Sequence, residues 1–202
     1  MVYLPREDSH LLAKAVAEYL GNLDKKELLS LKVLDMGSGS GIQVENCLKY
    51  GVEKKNILCV DIDKEAVELL MDKGFRAVES DLLKDIQEKE FNLIVFNPPY
   101  LPDDENDAGL DTGGGEKGIE TTIRFLRQAK KHLNKNGKIF IVASSLADLN
   151  ELMRQTEKAG YKIKKISEKK LFFERIEVWE IWLEIDFKER LYRKTTMFLY
   201  GV

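Results

Sequence analysis

The sequence is poor in the residues that build metal sites and covalent frameworks. It holds two cysteines, Cys47 and Cys59, with no C-x-x-C pair, and two histidines, His10 and His132. That is too few ligands for a structural zinc site and leaves no disulfide scaffold, so no metal is expected and a reducing cytoplasm fits best. Cys59 lies inside an apolar run and reads as packing. Long hydrophobic runs are also missing. No stretch of ~18 apolar residues could span a bilayer, and Met1–His10 lacks a charged-then-apolar signal pattern. A basic excess is absent as well: 32 Lys+Arg face 35 Asp+Glu, a net charge of -3, which is not the footprint of a free nucleic-acid binder. With only four prolines, no repeat and no low-complexity tract, there is no linker to divide the chain.

What remains is a charged surface and a core. Charged residues make up 33% and apolar residues 44% of 202, and a chain of that length can remove roughly 70% of its unfolded surface from water. One domain is expected over residues 1–187, with 188–202 as a tail of unassigned role. Short unbroken apolar runs at Lys32–Leu34, Ile57–Val60, Phe91–Phe96 and Ile139–Ala143 suit strands covered on both faces. Helical spacing fills the gaps. It runs over Ser9–Leu20 (with Glu7 and Asp8 in or just before the first turn), over Ala66–Met71, over Ile123–Leu133, and over Leu149–Ala159 between Asp148 and Gly160. Tyr161–Phe173 and Arg175–Phe187 read as a terminal antiparallel pair. The sum is a doubly wound, mostly parallel seven-stranded α/β sheet with helices on both faces and an antiparallel hairpin at its end.

The first chemistry follows the first apolar run. In Asp35-Met-Gly37-Ser-Gly39-Ser-Gly41 the three glycines let backbone N–H groups approach a ligand where a Cβ would collide. Asp61 ends the next run, twenty residues past Gly41, the usual spacing for a carboxylate that binds ribose hydroxyls. The dinucleotide fingerprint would need a further glycine, and Ile42 or Val44 stands there instead. Asp35 would repel a pyrophosphate but attract the ammonium of S-adenosylmethionine. The cofactor is therefore read as S-adenosylmethionine. Asp81, after a short strand at Phe75–Val78, is placed to accept from the adenine amino group, with Leu82 against the ring; a plain turn residue fits that local signal equally well.

The sharpest signal is Asn97-Pro98-Pro99-Tyr100, directly after Phe91–Phe96. Prolines cannot continue a central strand, so the chain must leave the sheet there in a fixed shape. At the carboxyl end of a middle strand that is where ligands bind. The Asn97 side-chain oxygen and the Pro98 carbonyl can each accept a hydrogen from a planar –NH₂ group, and Tyr100 can lie against its plane. An amide or aniline-type nitrogen is a weak nucleophile, and in-line placement between two acceptors raises its reactivity without a general base.

Together, Asp35 with Gly37, Gly39 and Gly41, Asp61, Asp81 and Asn97–Tyr100 resemble the class I N-methyltransferases, the HemK family of protein glutamine methyltransferases in particular. Val2–Leu12 is similar to the short opening of that family's eukaryotic and archaeal branch, and Leu171–Val178 to its closing hairpin. Bacterial members carry a helical domain ahead of the glycine loop; here 34 residues precede Asp35. The resemblance covers Tyr3 to about Phe187. It implies methylation of the side-chain amide of glutamine in the Gly-Gly-Gln motif of class I translation release factors. It places Ser9 (for the usual Thr), Asp35, Gly37, Asp61, Asp81 and Leu82 on the cofactor, with Asn97, which also faces it. Asn97, Pro98, Pro99 and Tyr100 would hold the glutamine. It also implies a small zinc-binding activator protein over an apolar sheet edge.

Loops of this type also serve adenine N6, so an adenine methyltransferase acting on DNA or RNA is the second reading. Asp103, Asp104, Glu105, Asp107 and Asp111, in the loop after Tyr100 that also carries Gly113–Gly115, would repel a phosphate backbone. A non-catalytic cofactor-binding scaffold is the third, and the intact Asn97–Tyr100 loop argues against it.

Overall fold

The computed structural model describes residues 4–102 and 114–184. Its centre is one seven-stranded sheet: β1 (Val33–Met36), β2 (Ile57–Asp61), β3 (Arg76–Glu79), β4 (Phe91–Phe96), β5 (Leu133–Ser144), β6 (Tyr161–Lys170) and β7 (Arg175–Leu183). The order across the sheet is β3-β2-β1-β4-β5-β7-β6. β1 through β5 run parallel and β7 lies antiparallel between β5 and β6. The expected alternation and closing hairpin are therefore both present.

The unbroken apolar runs are explained by burial on both sides. Along β1, Leu34 and Met36 join a core with Phe125 and Leu126 of α5 (Glu120–Ala129) and Leu152 of α6 (Leu149–Lys158). Val33 points the other way. It packs with Leu12 and Val16 of α1 (Glu7–Leu20), Val44 of α3 (Ile42–Lys49) and Leu70 of α4 (Lys64–Asp72). A period of two thus sends alternate residues into two cores. The same parity places Asp35, Asp61 and Asn97, at or just past three strand ends, on the α1 side.

Three local readings need correction. Leu133 is not helical; α5 stops at Ala129, and Leu133 pairs with Phe91 before a register break at the start of β5. The extra residues Asn134–Gly137 loop out, and Gly137 fits because a Cβ there would sit 2.7 Å from the Phe91 carbonyl oxygen. A short helix, α2 (Lys25–Ser30), was not foreseen because it buries nothing. Its signal was local: Asp24 and Glu27 form a capping box, each side chain accepting from the other's backbone N–H at 2.8 Å. Finally, the hairpin strands end at Lys170 and Leu183, short of the expected Phe173 and Phe187. Residues 185–202, including the 188–202 tail, lie outside the described residues. No helix among the described residues is long and apolar enough to cross a membrane.

Candidate active site

The sheet reverses its winding between β1 and β4, and both strands end at the same edge. Gly37, Gly39 and Gly41 follow β1 there with φ of 61°, 49° and 89°, a left-handed region that side chains resist. At Gly37 a Cβ would meet the Phe96 ring at 3.3 Å, and at Gly41 it would meet Leu70 Cδ2 at 2.8 Å. The loop is pinned from below. The Ser38 hydroxyl donates to the Asp35 carbonyl at 2.7 Å and accepts from the Val60 N–H at 3.1 Å.

Asp61 is 8% exposed and held by two backbone donors, Gly39 N–H to Oδ2 at 2.8 Å and Asp63 N–H to Oδ1 at 2.9 Å. Each oxygen keeps a lone pair for a hydroxyl ligand. Asp35 is 2% exposed and its Oδ2 has no hydrogen-bond partner. Burial, and then the neighbouring Asp61 charge, push its pKa well above the usual carboxylate range, while a bond with Ser38 opposes them. A buried carboxyl in that state is costly to ionise unless a cation arrives. Burial also raises the two thiols beside it, Cys59 to about 12, so neither cysteine is a nucleophile here.

Asn97 emerges from β4 opposite the first turn of α1. Its Nδ2 donates to Asp8 Oδ2 at 2.9 Å, and the Tyr100 hydroxyl donates to the same oxygen at 3.1 Å. Ser9 closes the cluster: its N–H reaches Asp8 Oδ1 at 2.6 Å and its hydroxyl lies 3.4 Å from Asn97 Nδ2. An ionised carboxylate only accepts, so Asp8 fixes which end of the Asn97 amide faces it. The other end, Oδ1, is buried and has no partner. Among the described residues, five buried side-chain polar atoms lack a hydrogen bond: Asp35 Oδ2, Gln43 Oε1, Asn97 Oδ1, Thr156 Oγ1 and Trp179 Nε1. The first three share this corner, since Gln43 Nε2 donates to the Ser9 carbonyl at 3.0 Å. Unmet acceptors concentrated at one mouth mark a place built for donors that come from outside.

Behind the loop, glycines bring the returning chain close. Gly114 N–H donates to the Leu101 carbonyl at 3.0 Å, and a Cβ on Gly118 would stand 2.5 Å from the Tyr100 carbonyl oxygen. The acidic residues 103–111 and Gly113 lie outside the described residues. Pro98 is buried and Pro99 half-buried, as a rigid exit from the strand requires. Two further expected cofactor residues follow β3. Asp81 is partly exposed and its Oδ1 accepts from Arg124 Nη2 of α5 at 2.8 Å. The Leu82 side chain is packed into the core at 5% exposure, and its φ of 55° is strained for a non-glycine. Ile62, directly after Asp61, presents an apolar side chain at this edge, 63% exposed.

This arrangement matches a known profile. The family described as the methyltransferase small domain covers residues 12–172. The chain belongs to that family. The methyltransferase is 34% identical over 192 residues to a Methanocaldococcus jannaschii protein named as a candidate protein N5-glutamine methyltransferase, covering 90% of this chain and 91% of that one. It is 30% identical over 180 residues to the release factor glutamine methyltransferase of Clostridium acetobutylicum, covering 79% of this chain but only 61% of that protein's length. Among solved structures it is similar to the E. cuniculi Mtq2–Trm112 complex responsible for methylation of the eRF1 termination factor. That match has a TM-score of 0.70 and 25% identity, over 91% of this chain and 99% of that one.

Sequence reasoning placed Asp35, the glycine loop, Asp61 and Asn97 of this methyltransferase at one edge, and the structure brings them together. It missed Asp8 as a site residue, because an acidic residue in a first helical turn has an ordinary explanation in the helix dipole. Its 3% exposure is the signal that overrules that explanation, and sequence alone does not carry it. Two surface clefts, lined by Lys135–Lys138 with Trp182 and by Tyr19 with Asn92, touch none of these residues.

Proposed function

We propose that the chain transfers a methyl group from S-adenosylmethionine to the side-chain amide nitrogen of a glutamine in a class I release factor. The observation that carries the reading is Asn97 Oδ1: a buried acceptor with no partner, aimed by an acceptor-only carboxylate. The residues at this edge suit the cofactor. Asp35 Oδ2 offers a buried anionic contact for an ammonium, Asp61 offers lone pairs for ribose hydroxyls, and the left-handed glycines leave room beside Phe96. Ser9, Gly37, Gly39 and Gly41 line the approach, Ile62 and Asp81 its adenine side. When bound, S-adenosylmethionine would supply an electrophilic methyl on a positively charged sulfur, which keeps the C–S bonding pair and leaves as the neutral thioether.

The chain's own residues do the rest. Asn97 Oδ1 and the Pro98 carbonyl accept the two N–H hydrogens of the acceptor amide and hold its plane, which points the nitrogen lone pair in one direction. As the nitrogen gains the methyl it becomes cationic, and both acceptors then bind it more strongly than they bound the neutral amide. The proton is acidic only at that stage and leaves to solvent, so no base is required. Tyr100 and Asp8 position Asn97 rather than touching the reacting atoms.

Asp8→Asn tests that division of labour. Its new amide would offer hydrogens as well as an acceptor, letting Asn97 turn its oxygen inward and its NH₂ toward the substrate. Turnover is expected to fall by about 10²-fold with cofactor affinity unchanged. A variant that loses cofactor binding in parallel would contradict the assignment.

Adenine N6 presents the same two hydrogens, so the substrate class rests on the surroundings: the net charge of -3, the acidic loop sequence and the relatives' names. The test is a labelled methyl-transfer panel of release factor, duplex DNA and RNA. Label on the protein supports the reading, and label on nucleic acid alone overturns it. A small accessory protein is part of the proposal, by analogy with the two-protein complex that the structure resembles. Adding such a partner is the next tube if the isolated chain is silent.

A further inference from the structure

The turn between β6 and β7 is not built as folding would build it. Leu171 N–H donates to the Glu174 carbonyl at 2.8 Å, closing a tight hairpin with Phe172 and Phe173 at its two central positions. Those positions ordinarily carry Gly, Asn or Asp. Here two aromatic rings stand 91% and 85% exposed, stacked edge-to-face at 4.6 Å between centroids. Among the described residues nothing covers them, although burying each would be worth roughly 1.5–3 kcal/mol.

The tip belongs to the rim of the active site. The Ser144 hydroxyl, at the end of β5, donates to Glu174 at 2.5 Å, and Ser145 and Arg175 exchange bonds at 2.8 and 2.9 Å. Lys169, at the end of β6, pairs with Glu7 at the start of α1, next to Asp8. By register, the tip lies two strands from Asn97, roughly 10 Å sideways, and about 17 Å further along the strand direction. Three more apolar side chains stand exposed in segments at this same edge: Leu4 ahead of α1, Leu101 after Tyr100 and Leu146 after β5, at 73%, 48% and 52%.

We infer that this apolar collar, led by Phe172 and Phe173, docks the body of the protein substrate while a projecting loop carries the acceptor glutamine to Asn97. The inference rests on the proposed glutamine reading and names the surface that selects the substrate. An acceptor that must reach a buried oxygen has to arrive on a narrow loop, and one amide side chain supplies little binding of its own. Contacts beyond it must hold the carrier, and exposed aromatic pairs are the usual anchors. Charge argues against a phosphate backbone as occupant, because most of the cations around the tip are paired with carboxylates, Lys170 being left without one among the described residues. Lys169 pairs with Glu7, Arg175 with Glu177 at 2.6 Å, and Lys165 with Glu168 at 2.6 Å.

The test compares wild type with a Phe172→Ser/Phe173→Ser variant on two acceptors: the full-length release factor and a short Gly-Gly-Gln peptide that cannot reach the collar. KM for the full-length protein is expected to rise at least ~10-fold, with kcat, the peptide's kinetics, cofactor affinity and Tm unchanged. An unchanged KM overturns the docking role. So does an equal loss on peptide and protein, which would mean the turn acts through the site, and so does a variant whose only change is loss of a self-associated form in sedimentation. If wild type itself methylates neither acceptor, with or without the accessory protein, the parent reading falls and this one with it.

Discussion

Asn97→Ala is expected to reduce methyl transfer by on the order of 10² to 10³-fold or more, while cofactor affinity changes little. The substitution removes the buried Oδ1 that is proposed to accept from the substrate amide, and with it the hydrogen bond from Nδ2 to Asp8. Both losses act at the transition state. The acceptor nitrogen is a weak nucleophile whose rate depends on being held in line and on partners for its developing charge. The cofactor's contacts come mainly from other segments, Asp35, the glycine loop and Asp61, and these stay. Equilibrium binding and single-turnover transfer measured on the same preparation check the split. Equal loss of both would show that Asn97 shapes the cofactor pocket. Unchanged transfer would remove it from the mechanism, and with it the argument from the orphaned oxygen.

Asp35→Asn is expected to stabilise the chain in the absence of cofactor while weakening its hold on the cofactor. The Asp35 carboxyl is raised well above its ordinary 3.8, chiefly by burial and next by Asp61. A carboxyl raised on folding favours the protonated folded form. Its contribution to stability is complete below the unfolded value, and is lost as pH climbs from there through the folded one. Wild type should therefore lose stability across that window, and the asparagine variant should not. At pH 8 the variant's Tm is expected to exceed wild type's, by about 2–4 °C for each kcal/mol gained in a chain of this size, and the gap should close toward pH 4. Cofactor affinity, by contrast, should drop by about 10- to 100-fold, the worth of one charged hydrogen bond. Saturating cofactor should narrow or reverse the Tm difference, since it binds only the wild-type fold well. A Tm difference independent of pH would contradict the assignment.

These expectations show why some of the architecture was legible in the residues and some was not. Runs such as Phe91–Phe96 and Ile57–Val60 announce strands because both sheet faces are covered, and the two interleaved cores confirm it. The glycine loop is legible because left-handed backbone excludes most side chains, so the chemistry leaves its mark at Gly37, Gly39 and Gly41. Asn97–Tyr100 is legible because proline cannot sit inside a sheet. Asp8 was hidden: its role depends on α1 packing so that residues 89 positions apart meet, and no local pattern encodes that. The Asp81–Arg124 pair, across 43 positions, was hidden for the same reason. The burial of Leu82, 5% exposed, was hidden too, because an apolar residue beside a carboxylate suits a ring pocket and a core equally. At Phe172 and Phe173 the sequence breaks the turn rules, and local rules tend to yield where a surface has work to do.

The central claim is that the orphaned Asn97 oxygen receives a glutamine amide. The measurement that tests it most directly is a fragment mass spectrum of a release factor's acceptor loop after incubation with the chain and S-adenosylmethionine, run beside a Gly-Gly-Ala form of the same protein. The account predicts one added methyl on the side-chain nitrogen of the Gly-Gly-Gln glutamine, none on the alanine form, and none from Asn97→Ala enzyme. A methyl found instead on an adenine, on a lysine, or equally on the alanine form would contradict it.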